Sequence, residues 1–179
     1  MVRLKLSALN MALILVLAVV MGLIAVVALV SSLGLYGSRQ FGVGVKAPDF
    51  ALRTLEGEVV RLSDFRGRVV ILDFFATWCG PCRLEIAHLK EVREAFGGSV
   101  VIISISIRES PEAVSRFAKA YGMDWVVVID ERGDVALRYR VTAIPTIVIV
   151  DREGRIRFIR VGVTPAETLK AEVSKLLRG

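Results

Sequence analysis

The chain has 179 residues, 54% of them hydrophobic, and a net charge of +6 from 24 basic and 18 acidic residues. Its mean hydropathy of +0.60 is high for a soluble domain, and the length fits one domain plus an appendage that carries the excess apolar residues. The charges are interspersed rather than clustered, which is typical of a solvated, mildly basic surface and argues against a nucleic-acid-binding protein.

The excess apolar residues lie at the N-terminus. No charged residue occurs between Lys5 and Arg39, and Met11 to Val30 contains only apolar residues and one glycine. As a helix this run would be about 30 Å long, the thickness of the hydrocarbon core of a bilayer. The alternative is a secretory signal peptide, whose apolar region is usually about 7–15 residues long and ends in a cleavage site that Ala28-Leu29-Val30 matches poorly. We therefore predict an uncleaved anchor over residues 1–36, with its transmembrane part at about 8–30.

The charges next to this anchor predict its orientation. Arg3 and Lys5 place the N-terminus in the cytoplasm by the positive-inside rule, so the remainder is expected outside the cytoplasmic membrane, in a single-pass topology. Residues 37–45 are rich in glycine and predict a short flexible linker. Residues 46–179 then form the one folded domain.

Strands and helices alternate along this domain. Phe50–Leu52 and Val59–Leu62 predict a hairpin at an edge of the sheet, and the continuous apolar run Val69–Phe75 predicts a strand buried on both faces. Thr164 opens a capping box before the last helix. Further strands are predicted at Val100–Ile107, Trp125–Ile129, Thr146–Val150 and Ile156–Val161, and further helices after Cys82, from Pro111 with Ser110 as cap, and over Asp134–Arg140. The pattern is that of an α/β fold with a mixed central sheet and helices on both faces.

The only two cysteines, Cys79 and Cys82, stand between the strand that ends at Phe75 and a segment of helical periodicity. A Cys-x-x-Cys at such a junction indicates a redox-active disulfide, because a helix start presents free N–H groups and the positive end of its dipole to a thiolate. The thiol pKa falls from about 8.5 to roughly 3.5–7.5. Cys79 is the predicted nucleophile and Cys82 the resolving cysteine, and Pro81 suits the first helical turn.

A close cysteine pair can also have a structural, metal-binding or haem-binding role. A structural disulfide stays possible on spacing alone. A zinc site is hard to assemble, because His88 is the single histidine and there is no second cysteine pair. A haem attachment site needs histidine directly after the second cysteine, where this chain has Arg83. No metal or cofactor is therefore expected.

Several stretches of the sequence together resemble a known family. Those that resemble the thioredoxin superfamily are Leu72-Asp73-Phe74-Phe75, Trp78-Cys79-Gly80-Pro81-Cys82 and Ile144-Pro145-Thr146. Those that resemble its membrane-anchored TlpA/ResA-type thiol–disulfide oxidoreductases are Ala47-Pro48-Asp49-Phe50, an extra helix and strand between Ile107 and Asp130, and Cys82-Arg83-Leu84-Glu85. The resemblance runs from Lys46 to the C-terminus. It implies a thioredoxin-like fold with an N-terminal hairpin extension and a helix–strand insertion, preceded by one transmembrane helix.

The resemblance also implies the residues that bind substrate. A cis peptide bond is expected before Pro145, in a loop that faces the cysteines, where the backbone around Ile144 pairs with an extended substrate chain. Trp78 is expected to shield the disulfide and line the substrate groove, with core packing as the alternative. Gly162 resembles the glycine that lets a partner backbone approach, although an ordinary turn glycine is the alternative. Gly80 and Pro81, between the cysteines, complete this set.

Two carboxylates are candidates for proton transfer. Asp73 interrupts an apolar strand, and burying a carboxylate is costly unless it is paired or protonated. The resemblance places it behind Cys82, where it could relay a proton, and the alternative is a strand-end aspartate bonded to nearby backbone. Glu85 shares a helix face with Cys82 and is expected near the active site, with a solvent-exposed glutamate as the alternative. Ala87 stands where the family pattern often has proline, so the resemblance does not carry a helix kink over to this chain. His88 is expected at the surface or in packing.

The implied activity is dithiol–disulfide exchange with proteins outside the cytoplasmic membrane. Because Gly80-Pro81 resembles thioredoxin, whose dithiol is reducing, we expect a reductant, with apocytochrome thiols awaiting haem as candidate substrates. An integral-membrane thiol carrier of the CcdA type would re-reduce it. The alternatives are an oxidase or isomerase of secreted proteins, a peroxiredoxin-like peroxidase, and a copper-delivery module. A peroxiredoxin-like peroxidase needs a Pro-x-x-x-Thr-x-x-Cys arrangement, which this sequence does not contain. Copper-delivery modules of this fold use a downstream histidine, and none follows position 88 here.

The amide content gives one further expectation, about the source of the protein. Asn and Gln occur once each, as Asn10 and Gln40, and Arg far outnumbers Lys. Few thermolabile amides and many ion-pairing groups predict a heat-adapted source.

Overall fold

The computed structural model describes residues 2–32 and 41–178 of the chain, and the side chains of 11–30 and 41–178. The chain divides into two compact units, one before and one after the junction of Gln40 and Phe41. The first unit is the helix α1 (Val2–Ser32). Its 20-residue segment Met11–Val30 is long and apolar enough to cross a membrane. The end of the predicted anchor and residues 37–40 of the predicted linker lie outside the described residues.

The second unit is built on a mixed sheet of seven strands. The strands are β1 (Ala51–Thr54), β2 (Val59–Arg61), β3 (Val69–Phe75), β4 (Val100–Ile107), β5 (Val126–Asp130), β6 (Thr146–Val150) and β7 (Ile156–Val161), and the helices are α2 (Gly80–Phe96), α3 (Pro111–Ala120), α4 (Asp134–Arg138) and α5 (Ala166–Arg178). Their order across the sheet is β2-β1-β5-β4-β3-β6-β7. The strands β3, β4 and β5 run parallel, and the others pair antiparallel with their neighbours. This confirms the predicted thioredoxin-like fold, with its edge hairpin and the inserted α3 and β5.

The side chains of β3 divide the core between the two faces of the sheet, because successive residues of a strand point to opposite sides. Leu72 and Phe74 pack on the face that α4 covers, together with Tyr139. Val69 and Ile71 pack on the opposite face against α2 and α5, where α3 also lies. Asp73 lies between Leu72 and Phe74 in the strand, so its side chain points to the opposite face, toward α2.

The start of α5 differs from the prediction. The capping box at Thr164 is wrong: the Leu169 N–H donates to the carbonyl of Pro165, and the helix begins at Ala166. The Thr164 hydroxyl is buried, with no hydrogen-bond partner among the described residues. The predicted cap at Ser110 is confirmed, since its side chain accepts a hydrogen bond from the Ala113 N–H at 3.3 Å.

Candidate active site

The cysteine pair lies at the start of α2, directly after β3. Cys79 is the N-cap residue and forms a disulfide with Cys82, with 5.3 Å between their Cα atoms. The Cys82 N–H donates to the Cys79 sulfur at 3.2 Å, so a free donor of the helix start already points at the predicted nucleophile. Cys79 is 5% exposed and Cys82 fully buried. Gly80 and Pro81 lie exposed in the first turn.

The loop before β6 faces these sulfurs. The Ile144–Pro145 peptide bond is cis, as the resemblance implied, and the Ile144 carbonyl oxygen lies 3.8 Å from the Cys79 sulfur. The Gly162 N–H donates to the Pro145 carbonyl at 2.8 Å. Gly162 has a φ of +85°, and open space lies where a side chain would project. Cys79, Ile144, Pro145 and Gly162 therefore lie together, as predicted.

A groove lies beside the cysteine pair. Its lining includes Trp78, which directly precedes Cys79 and is 72% exposed, and Ile144, whose carbonyl oxygen lies near the Cys79 sulfur. The groove has a volume of about 540 Å³ and is lined by Ala76, Trp78, Ile107, Arg108, Gly133, Ala136, Leu137, Val141, Thr142, Ala143 and Ile144. Because Trp78 is so exposed, core packing does not account for it, and its position fits contact with a substrate chain.

Asp73 is fully buried in the middle of β3. Its Oδ2 accepts a hydrogen bond from the Ser104 hydroxyl at 2.8 Å, and Ser104 in turn accepts one from the Trp125 indole N–H at 3.0 Å. Oδ1 has no partner among the described residues. Burial raises the pKa of Asp73 from 3.8 to about 7, and the bond from Ser104 opposes this rise. Asp73 is thus neither at a strand end nor bonded to backbone.

Glu85 is buried on α2, so the alternative of a solvent-exposed glutamate is wrong. Its Oε2 accepts the Thr164 N–H at 2.7 Å, and its Oε1 has no partner among the described residues. Burial is the main cause that raises its pKa from 4.5 to about 7. The Thr164 bond and the charge of Arg160 oppose the rise, and the negative charge of Asp73 adds to it. Two acids with raised pKa values therefore lie on the Cys82 side of the sheet.

His88 follows Glu85 by one helical turn and is half-buried. Its Nδ1 lies 2.9 Å from the Thr164 carbonyl oxygen. Because a carbonyl oxygen accepts, the ring donates its Nδ1–H to the backbone at Thr164. His88 was predicted at the surface or in packing rather than in catalysis, and this contact agrees with a packing role.

Glu109 is a neighbour of the site that the sequence analysis missed. One carboxylate oxygen accepts the Thr77 hydroxyl at 2.5 Å, and the other accepts both the Thr77 N–H at 2.9 Å and the Ser106 hydroxyl at 2.7 Å. These hydrogen bonds fix the position of Thr77, which directly precedes Trp78 and Cys79 in the chain. The sequence contained one signal for this contact. The segments β3 and β4 are apolar enough to be buried parallel neighbours, and the carboxyl ends of such strands, which Thr77 and Glu109 follow, meet at one edge of the sheet.

A cysteine pair capping a helix beside a cis-proline loop, on a sheet of this topology, defines a thioredoxin-like thiol–disulfide oxidoreductase. Residues 43–159 match the model of the AhpC/TSA family, and the chain belongs to it.

Among its relatives, the thiol–disulfide oxidoreductase ResA of Geobacillus thermodenitrificans is 34% identical over 75% of this chain and 78% of its own. The thioredoxin-like protein YneN of Bacillus subtilis is 32% identical over 77% and 84%. A crystal structure of a thiol:disulfide interchange protein DsbE from Chlorobium tepidum matches with a TM-score of 0.72 and 31% identity, over 77% of this chain and 99% of that one.

Proposed function

We propose that the protein is a membrane-tethered reductant of protein disulfides outside the cytoplasmic membrane. The observation that carries this proposal is the position of the Cys79 sulfur, which receives an N–H bond at the start of α2 and faces the loop at Ile144. The N–H groups and the dipole of the helix start stabilise a thiolate there. The relative named thiol–disulfide oxidoreductase ResA supports the same chemistry.

The reaction moves two electrons in two exchanges. In the reduced protein the Cys79 thiolate attacks one sulfur of a substrate disulfide, and the other substrate sulfur leaves as a thiolate that takes up a proton. Cys82 then loses its proton and attacks the Cys79 sulfur of the mixed disulfide. The second substrate thiol is released, and the Cys79–Cys82 disulfide of the present structure results. The substrate gains two electrons and two protons. Both electrons come from the protein, whereas one proton comes from Cys82 and the other from solvent, because Cys79 reacts as a thiolate.

The second exchange needs a proton acceptor for the buried Cys82 thiol. A thiol with an ordinary pKa of about 8.5 transfers its proton readily to a base whose pKa is near 7. Asp73 and Glu85 both have pKa values of about 7 on that side of the sheet. We assign the relay to Asp73, which the resemblance places behind Cys82, with Glu85 as the second candidate. Each acid is buried and has one carboxylate oxygen with no partner among the described residues.

The substrate chain binds along the groove beside the cysteines. Its backbone pairs in extended form with the backbone around Ile144 and Pro145, in the manner of strand addition. Trp78 contacts its side chains, Gly80 and Pro81 leave the cysteine pair accessible, and Gly162 lets the partner backbone approach.

The apolar helix supports the proposed location. Residues 1–36 anchor the protein, residues 37–45 link the anchor to the domain of residues 46–179, and the positive residues before Met11 keep the N-terminus in the cytoplasm. An integral-membrane thiol carrier supplies electrons. The substrate class we favour is apocytochrome c with its cysteines in a disulfide, whose reduction frees the two thiols that await haem. The alternative within this class is that the same cysteine pair oxidises or isomerises disulfides of secreted proteins.

Trapping the mixed disulfide tests this proposal. The variant Cys82→Ser, produced with its anchor in cells that make c-type cytochromes, is expected to hold substrates on Cys79 because the second exchange cannot occur. Non-reducing gels and mass spectrometry identify what is bound, and Cys79→Ser is the matched control that should bind nothing. Recovery of apocytochromes supports the reductant role, whereas a strongly oxidising potential of the cysteine pair would exclude it.

A further inference from the structure

Arg108 is the one charged side chain among the residues that line the groove beside Trp78. Every other lining residue is apolar, except Thr142 and Gly133. A guanidinium at the wall of an otherwise apolar groove changes which chains the groove accepts, because it favours a carboxylate nearby and disfavours a second cation.

The backbone holds Arg108 in a conformation that side chains rarely adopt. Its φ is +58°, in the left-handed region. Its N–H donates to the Asp130 carbonyl at 3.0 Å and its Nε to the Arg132 carbonyl at 3.3 Å. A Cβ on Gly133 would lie 2.8 Å from the Arg108 Nε. Glycine at position 133 therefore leaves free the space that the Arg108 side chain occupies.

Three acidic residues of the surrounding loops, Glu109, Asp130 and Asp134, are bound elsewhere. Glu109 accepts hydrogen bonds from Thr77 and Ser106 through both of its oxygens, and Asp130 accepts the N–H groups at the start of α4. Asp134 pairs with Arg132 at 2.9 Å. No ion pair within 4.0 Å involves Arg108 in the described part of the chain. Its exposed guanidinium is therefore available to a bound partner.

We propose that Arg108 is a specificity-determining residue, which selects substrate polypeptides with an acidic side chain close to the cysteine that Cys79 attacks. The inference rests on the proposed function, since it names the substrate class of the same groove. A chain extended along Ile144 sends alternate side chains toward the groove. Apolar residues fit its walls, and a carboxylate that reaches Arg108 can accept two parallel N–H bonds from the guanidinium.

The test uses reduced full-length protein in detergent and disulfide-linked dimers of a short peptide with one cysteine. One glutamate is moved through three positions on each side of the cysteine, and each peptide is compared with its glutamine counterpart. Each turnover releases two peptide thiols and leaves the Cys79–Cys82 disulfide, so thiol release measures the second-order rate constant. At low ionic strength at least one glutamate position is expected to react up to about five-fold faster than glutamine, as for an exposed ion pair, and salt should reduce the difference.

Two variants of Arg108 decide the outcome. Arg108→Gly removes the charge and relaxes the backbone, because glycine adopts this φ freely, so loss of folding is not expected. It should abolish the preference for glutamate, and Arg108→Glu should invert it. Arg178→Glu, an exposed charge change at the end of α5, should leave the preference as in the wild type.

The contrary results are equally distinct. If all peptides are reduced but glutamate and glutamine react alike at every position, or if Arg108→Glu keeps the preference for glutamate, the inference about Arg108 is wrong and the reductant function stands. If the wild type reduces none of the peptides and none of a protein disulfide such as insulin, the proposed function itself fails.

Discussion

Replacing Asp73 by asparagine should make the stability of the domain less dependent on pH. Asp73 has a pKa of about 7 in the folded protein and an ordinary value of 3.8. Because the folded state holds this proton more tightly, its contribution to stability is complete below pH 3.8 and is lost as the pH rises toward about 7. At 1.36 kcal/mol for each pH unit the loss amounts to about 4 kcal/mol.

The asparagine variant carries a fixed cost of its own. Its amide oxygen can accept the Ser104 hydroxyl as Oδ2 does now, but its NH2 group replaces an oxygen that has no partner among the described residues. A buried unpaired donor costs about 1–3 kcal/mol at any pH. Because this cost is constant, it cancels when the wild type and the variant are each compared at two pH values.

Urea unfolding of the oxidised protein at about pH 4.5 and about pH 8 measures the effect. The wild type should lose about 3 kcal/mol more unfolding free energy between these values than Asp73→Asn. A parallel series with Glu85→Gln separates the second acid, whose pKa the charge of Asp73 helps to raise. Equal pH dependence in the wild type and Asp73→Asn would show that Asp73 is ionised like an exposed carboxylate, and the relay assigned to it would be wrong.

Two further variants probe the wall of the site. Glu109→Ala should lower kcat/KM for peptide disulfides about ten-fold, because the loss of about 1.4 kcal/mol of hydrogen bonding frees the residues before Cys79. Glu109→Gln should stay close to the wild type, since its amide can accept the Thr77 N–H and donate to the Thr77 hydroxyl; equal losses in both variants would contradict a positioning role. Trp78→Ala should raise KM for peptides while the unfolding free energy changes by less than about 0.5 kcal/mol, because the side chain is 72% exposed. A large loss of stability on urea unfolding would instead make Trp78 part of the core.

The central strands β3, β4 and β6 were predictable because each is a short, largely apolar run. The edge strand predicted over Phe50–Leu52 is shifted, since β1 is Ala51–Thr54. Val69–Phe75, Val100–Ile107 and Ile156–Val161 have the predicted bounds. The helix α4 was predicted two residues too long, since Arg140 adopts a φ of +53°. The boundary of α5 was missed because Thr164 bonds through its backbone to a residue 79 positions away. Local capping preferences do not contain such contacts.

The sulfur chemistry of the site was also predictable, because a Cys-x-x-Cys at a helix start is a local arrangement. The contacts around it are not local. Glu109 meets Thr77 across 32 residues, and Ser104 reaches Asp73 only because β4 lies beside β3 in that register. The burial of Glu85 depends on the same kind of long-range packing. Four further expectations are still predictions: the membrane orientation, the electron donor, the substrate and the heat-adapted source.

The short stretch between β7 and α5 links two halves of the proposed reaction. The Gly162 N–H donates to the carbonyl of Pro145, in the loop proposed to pair with substrate. Two residues later the Thr164 N–H donates to the carboxylate of Glu85. Substitutions in this stretch will therefore disturb docking and deprotonation at once. Kinetic defects found there cannot be divided between the two steps unless each step is timed separately.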